Sequence, residues 1–141
     1  MKPFLSVIIP AYNESENIAR GTLQTVCDYL NKQKYIWEII VVNDGSSDNT
    51  LDLLNKFKNI KTINNTHQGK ASTVLTGGLL AKGEIILFTD MDQATPISEV
   101  DKLLEKLNSG PDIVIGSRSG RKGAPLFRKI LAYGNVILRT L

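Results

Sequence analysis

Alternation constrains this chain more than any other feature: short apolar runs rich in β-branched residues are separated by stretches with helical periodicity. The runs at residues 4–10, 37–43, 60–64, 84–89 and 112–117 predict five strands. The patterns at 14–34, 48–57, 70–81 and 98–107 predict helices long enough to cross from one strand to a parallel neighbour. A mostly parallel α/β sheet with helices on both faces follows, because only strands buried on both sides are apolar without interruption. In such sheets ligands gather beyond the carboxyl ends of the strands, so the residues that follow each strand carry the functional question.

The chain has 141 residues with 42% hydrophobic content, an ordinary composition for one folded domain and a poor one for disorder. Every apolar run is strand-length, well short of the roughly 20 residues needed to span a bilayer. The Met1-Lys2-Pro3 start lacks a signal peptide's apolar core, which predicts a cytoplasmic protein. The single cysteine, Cys27, cannot form an internal disulfide and is expected in the core. Charge is distributed unevenly. Asp112 is the last acidic residue, and Arg118, Arg121, Lys122, Arg128, Lys129 and Arg139 follow it, leaving 11 basic against 14 acidic residues before them. Such a tail suits a phosphorylated substrate, an anionic lipid surface or nucleic acid, or is simply a solvated basic face. Residues 127–141 carry apolar positions at helical spacing with no capping signal, which predicts a helix that the end of the chain interrupts.

Four strand ends hold candidate chemistry. The first leads into Pro10-Ala11-Tyr12-Asn13-Glu14, where Asn13 and Glu16 form an apparent capping pair and Tyr12 offers a ring face and a hydroxyl to a nucleotide. A plain strand-to-helix turn explains the same residues. The second ends in Asn43-Asp44-Gly45-Ser46-Ser47-Asp48; residues 46–49 can cap the next helix, whereas Asp44 is placed to accept hydrogen bonds from a base or ribose. The fourth ends in Thr89-Asp90-Met91-Asp92, and in extended backbone the two aspartates face one way, offering hard oxygen ligands for magnesium or manganese; an acidic turn capping the next segment is the alternative. Arg118, after the fifth strand's Gly116-Ser117, can fork onto phosphate oxygens or lie in solvent. Gln68-Gly69-Lys70 opens a helix but lacks the full phosphate-loop pattern, and His67, with no companion His or Cys, reads as an ordinary loop residue.

In order and spacing, residues 7–14, 41–48, Gly69-Lys70, Asp90-Met91-Asp92 and Gly116-Ser117-Arg118 resemble the family 2 glycosyltransferases, most closely those that act on dolichyl or polyprenyl phosphate. The resemblance implies the nucleotide-sugar-binding half of a GT-A fold over residues 1–141, a Rossmann-like sheet, with an acceptor-binding half beyond it. It implies that Pro10, Tyr12, Glu14, Asp44, Lys70 and Asp90 bind a UDP- or GDP-hexose. Asp90, Asp92 and Gln93 would hold Mg2+ or Mn2+, and Asp92, Arg118 and Arg128 would act on the reacting groups, the two arginines on the acceptor phosphate. An inverting transfer to polyprenyl phosphate at the cytoplasmic face of a membrane, without nucleic acid, is the expected activity. Asn43 stands where the family often has a further Asp, and Ala71 where a Gly is usual. Transfer to a saccharide hydroxyl and a noncatalytic nucleotide-binding module are the alternatives. A dinucleotide oxidoreductase is disfavoured, because Pro-Ala-Tyr-Asn-Glu replaces its G-x-G-x-x-G.

Overall fold

The computed structural model describes residues 1–117 and 133–140. Strands β1 (Leu5–Ala11), β2 (Trp37–Asp44), β3 (Lys61–Asn65), β4 (Ile85–Thr89), β5 (Ile113–Ser117) and β6 (Tyr133–Arg139) form one sheet in the order β3-β2-β1-β4-β6-β5. The β1–β2, β1–β4 and β2–β3 pairs are parallel, as the crossovers require, and β6 runs antiparallel to both its neighbours.

Alternation along β1 explains how the sheet is covered on both faces. Leu5, Val7 and Ile9 join Ile39, Val41 and Leu87 in the larger core, against Leu23, Val26, Cys27 and Leu30 of helix α2 (Thr22–Leu30) and Val100 and Leu107 of α5 (Val100–Asn108). Ile8 faces the other way with Ile40 and Val42, beneath α4 (Lys70–Leu80). Cys27 is buried, as its apolar setting predicts.

Two sequence expectations change here. The helix predicted over 14–34 is broken into α1 (Ser15–Ala19) and α2 at Gly21, whose φ of 87° lies in the left-handed region that glycine enters without a Cβ penalty. The terminal helix is a larger correction: residues 133–139 are strand β6, inserted between β4 and β5. Its spacing suits a strand equally, since Asn135 and Ile137 are buried while Val136 and Leu138 are partly exposed on the other face. In that place one segment supplies ladder partners to two strands, from Ile85↔Arg139 to Thr89↔Asn135 and from Ile113↔Leu138 to Ser117↔Tyr133. Satisfying both rows of backbone groups outweighs an amphipathic pattern of one short helix.

Candidate functional site: a cleft at the carboxyl ends of β1, β2 and β4

Because these strands are parallel, the segments after them meet at one edge of the sheet. The loop after β1 and the loop after β2, which continues into helix α3 (Thr50–Leu54), are stitched together there. Asn13 N–H donates to Ser46 Oγ (2.9 Å), Ser47 N–H to Asn13 Oδ1 (2.9 Å), Glu14 N–H to Thr50 Oγ1 (2.8 Å) and Ser15 N–H to an Asp48 carboxylate oxygen (3.2 Å). The predicted Asn13–Glu16 capping pair therefore does not form; α1 has no cap from its own N-cap side chain, and its first amides are capped across the loops. Asp48 serves two helices, since its other oxygen accepts from Thr50 N–H (3.0 Å) at the start of α3. Partial desolvation raises its carboxyl, but hydrogen bonds from Ser15 and Thr50 outweigh this and bring it down to about 2.

Between these loops and the start of α4 lies a cleft of ≈300 Å³. Its walls carry Pro10, Tyr12 and Glu14 from the first loop, Asp44 at the end of β2, His67, Gly69 and Lys70 before and at the start of α4, and Asp90 and Asp92 after β4. All six residues expected to bind a nucleotide sugar, and two of the three expected metal ligands, thus border one space.

The carboxylates in it differ in environment. Asp44 is 3% exposed, and Gln68 N–H and Gly69 N–H donate to its two oxygens at 2.9 Å each. Burial raises its carboxyl, yet these amides, the Thr73 hydroxyl and His67 together hold it below the ordinary range. Asp90 is half-buried and Asp92 exposed, with Met91 between them turned into the core at 2% exposure; β4 ends at Thr89, so the pair lies in a turn, the alternative to the extended backbone expected from the sequence. Lys70 Nζ lies 2.6 Å from Asp90 Oδ1 and 5.5 Å from the centre of the Phe88 ring. Asp92 Oδ1 also accepts from Ala94 N–H (2.9 Å), so it caps the turn that it occupies.

Gln93 is absent from the cleft wall. It adopts a left-handed φ of 50°, donates from Nε2 to the Asp90 carbonyl (2.7 Å), and has a buried Oε1 without a partner among the described residues. It borders instead a separate hollow with Thr25, Asp28 and Tyr29 of α2 and residues 96–98. Arg118 and Arg128 lie outside the described residues.

His67, the sole histidine and read from the sequence as an ordinary loop residue, borders the cleft: it stacks on Tyr12 with ring centroids 4.3 Å apart and brings Nδ1 to 2.9 Å from Asp44 Oδ2. No local motif marks it. Asn43, where a further Asp was looked for, is buried and donates to Asn64 Oδ1 at 2.6 Å, so its amide holds β2 to β3.

The described residues contain no cluster of three or more His, Cys, Asp or Glu fit to hold a metal by themselves. Two accessible carboxylates suit magnesium or manganese only when ligand phosphates and water complete the shell, which is how these cations usually bind nucleotides. That donor set fits a cation shared with a diphosphate.

A mostly parallel α/β sheet with such an acidic edge defines a fold class that comparison makes specific. The chain belongs to glycosyl transferase family 2, whose pattern matches residues 6–133. It is 36% identical over 157 aligned positions to a dolichyl-phosphate beta-glucosyltransferase of Trichomonas vaginalis, covering 96% of this chain and 47% of that protein. It is 33% identical to a dolichol-phosphate mannosyltransferase of Pyrococcus furiosus, covering 95% and 40%. The chain therefore spans about half the length of the relatives it matches. Its fold is the GT-A type: a mannosyltransferase of Pyrobaculum calidifontis, solved with GDP-Man and Mn2+, superposes with a TM-score of 0.69 at 22% identity, over 99% of this chain and 45% of that one. No helix among the described residues is long and apolar enough to cross a membrane.

Proposed function

We propose that the chain is the donor-binding half of an inverting glycosyltransferase that moves a hexose from UDP or GDP to a polyprenyl phosphate. The observation that carries the reading is the meeting of Tyr12, Asp44, Lys70, Asp90 and Asp92 around one ≈300 Å³ cleft at the carboxyl ends of β1, β2 and β4. The named activities of the relatives support it.

In this reading Pro10, Tyr12, Glu14 and Asp44 bound the nucleoside end, and Asp90 and Asp92 face the diphosphate. Magnesium or manganese, when bound, would offset the charge that grows on the leaving diphosphate. Lys70 adds a fixed cation at the same end, and its grip on Asp90 keeps that carboxylate aligned before donor arrives. An acceptor phosphate oxygen forms the new bond to the anomeric carbon from the opposite side, and the bond to the nucleoside diphosphate breaks with its electron pair. With a second pKa near ~6, a phosphate monoester acceptor is ionised at neutral pH and needs no strong general base. Arg118 and Arg128 are assigned to the acceptor phosphate by family resemblance and by the basic run that follows Asp112. The remaining acceptor contacts belong to the part of the relatives that this chain does not span. Work at the cytoplasmic face of a membrane follows from the acceptor.

Calorimetric titration with UDP-glucose and GDP-mannose, with Mn2+ and with chelator, tests the donor site; assay of transfer to a polyprenyl phosphate with the full-length protein tests the acceptor. Binding of one donor that chelator weakens at least tenfold is expected. Binding indifferent to Mn2+ would remove Asp90 and Asp92 from the diphosphate, and transfer to a sugar hydroxyl but not to polyprenyl phosphate would replace the acceptor.

A further inference from the structure

We propose that Gln93 is a positioning residue for the cation rather than one of its ligands: its side-chain amide grips the backbone of Asp90 and so sets where the Asp90 and Asp92 carboxylates stand before a cation arrives. The inference rests on the reading of the cleft as a donor site shared with a divalent cation, and deepens it.

Gln93 closes the turn that carries the two aspartates twice over. Its backbone N–H donates to the Asp90 carbonyl at 3.3 Å, completing a four-residue turn over Asp90-Met91-Asp92-Gln93, and its Nε2 donates to the same carbonyl at 2.7 Å. Nε2 also lies 3.4 Å from Oγ1 of Thr89, the buried last residue of β4. The amide stands only this way round, because exchanging its nitrogen and oxygen would set an acceptor 2.7 Å from the Asp90 carbonyl. Oε1, the atom that a cation would need, is consequently buried without a partner among the described residues, and Gln93 takes no part in the cleft wall.

The backbone at Gln93 shows that this grip opposes a real cost. Its φ is 50°, and among the described residues only Asn13 shares a positive φ without being glycine. Asparagine enters that region readily, whereas glutamine does so at a cost that glycine would avoid. What offsets it here is the pair of bonds from Nε2 to Thr89 and Asp90. Asp90 is thereby held from both faces of the sheet: Lys70, at the start of α4, meets its carboxylate at 2.6 Å, and Gln93, beside the hollow next to α2, holds its carbonyl. Asp92 follows, since only the buried Met91 separates it from Asp90, and its Oδ1 accepts from Ala94 N–H just past Gln93. Carboxylates preset in this way favour a small octahedral cation, which needs its oxygens at a fixed short reach, over calcium, which accepts longer and irregular coordination.

The test titrates the full-length protein with Mn2+ and with Ca2+ in the presence of whichever of UDP and GDP it binds, and repeats this for Gln93→Gly and Gln93→Glu, each checked for folding by circular dichroism. Glycine suits a φ of 50°, so Gln93→Gly removes backbone strain while freeing the turn. Its Mn2+ affinity should fall at least tenfold, as when groups that orient metal ligands are lost, and its Ca2+ affinity should fall less, so that the preference for Mn2+ narrows. Loss of an oxygen ligand would instead weaken both ions alike. Gln93→Glu keeps the length and offers a harder oxygen, which would tighten Mn2+ binding at a ligand position; with no N–H for the Asp90 carbonyl, it should weaken that binding here. Unchanged Mn2+ affinity in Gln93→Gly, an unaltered ratio between the two ions, or tighter Mn2+ binding in Gln93→Glu overturns the positioning role while leaving the cleft a donor site. If UDP and GDP bind the unaltered protein indifferently to Mn2+, the donor-site reading falls, and this proposal with it.

Discussion

The ends of β2 and β4 both present aspartate to the same cleft, and they use it in opposite ways. Asp44 is buried and engaged by two backbone amides and His67. Asp90 is half-buried and Asp92 exposed, with Lys70 and one turn amide as the partners of their carboxylates among the described residues. A carboxylate at a strand's carboxyl end is therefore no uniform signal: the first stabilises the loop that shapes the pocket, and the second leaves lone pairs for something that arrives from solution. The contrast follows from what lies above each strand end. The loop into α4 folds down onto Asp44, whereas the turn after β4 is anchored by the buried Met91 and by bonds within itself, which leave its carboxylates accessible.

Three substitutions break or sharpen this contrast. Asp44→Ala should have the largest effect, a loss of about 2–4 kcal/mol in urea denaturation, because it strands two amides and a histidine N–H beneath the loop. A loss under ~1 kcal/mol would show that Asp44 anchors nothing. Asp92→Asn keeps the oxygen that accepts from Ala94, so its stability should change by less than about 0.5 kcal/mol. Its donor affinity in Mn2+ should instead fall at least tenfold, the lower end of what even supporting groups around a metal contribute. Equal affinity of variant and parent in Mn2+ would make the two strand ends alike.

The smallest effect belongs to Asp48, the carboxylate that ties the two loops. Its folded-state value of about 2 lies below the ordinary 3.8, so the stability that it contributes is fully present above about 3.8 and is lost as pH falls through about 2. Urea midpoints measured across that acid window should fall less steeply in Asp48→Asn than in the parent. Parallel acid slopes would mean that the stitch between the loops does not depend on this charge.

The sequence announced those elements whose signal is local. Leu5–Ala11 and Trp37–Asp44 are continuous apolar runs that only a doubly covered sheet accepts, and both form close to the predicted bounds. The strand after 112 was equally legible, because alternation of side chains is a property of extended backbone; the turn that holds Asp90 and Asp92 was not, since the same residues also suited a continued strand. The break at Gly21 was missed, since an isolated glycine in a helical pattern is usually tolerated. Strand β6 was missed because its apolar spacing matches a helical face as well as a strand, and its two partners lie far away in the chain.

The sequence alone determined the α/β class, the parallel crossovers and the strand ends that border one cleft, because burial on two faces and the handedness of crossovers follow from patterning. Tertiary structure alone decided that β6 fills the gap between β4 and β5, that Asp48 caps a helix 33 residues away, and that His67 meets Tyr12 and Asp44. Each of these depends on which unsatisfied group another segment happens to bring near, and hydrogen-bond partners that distant in sequence leave no periodicity to read.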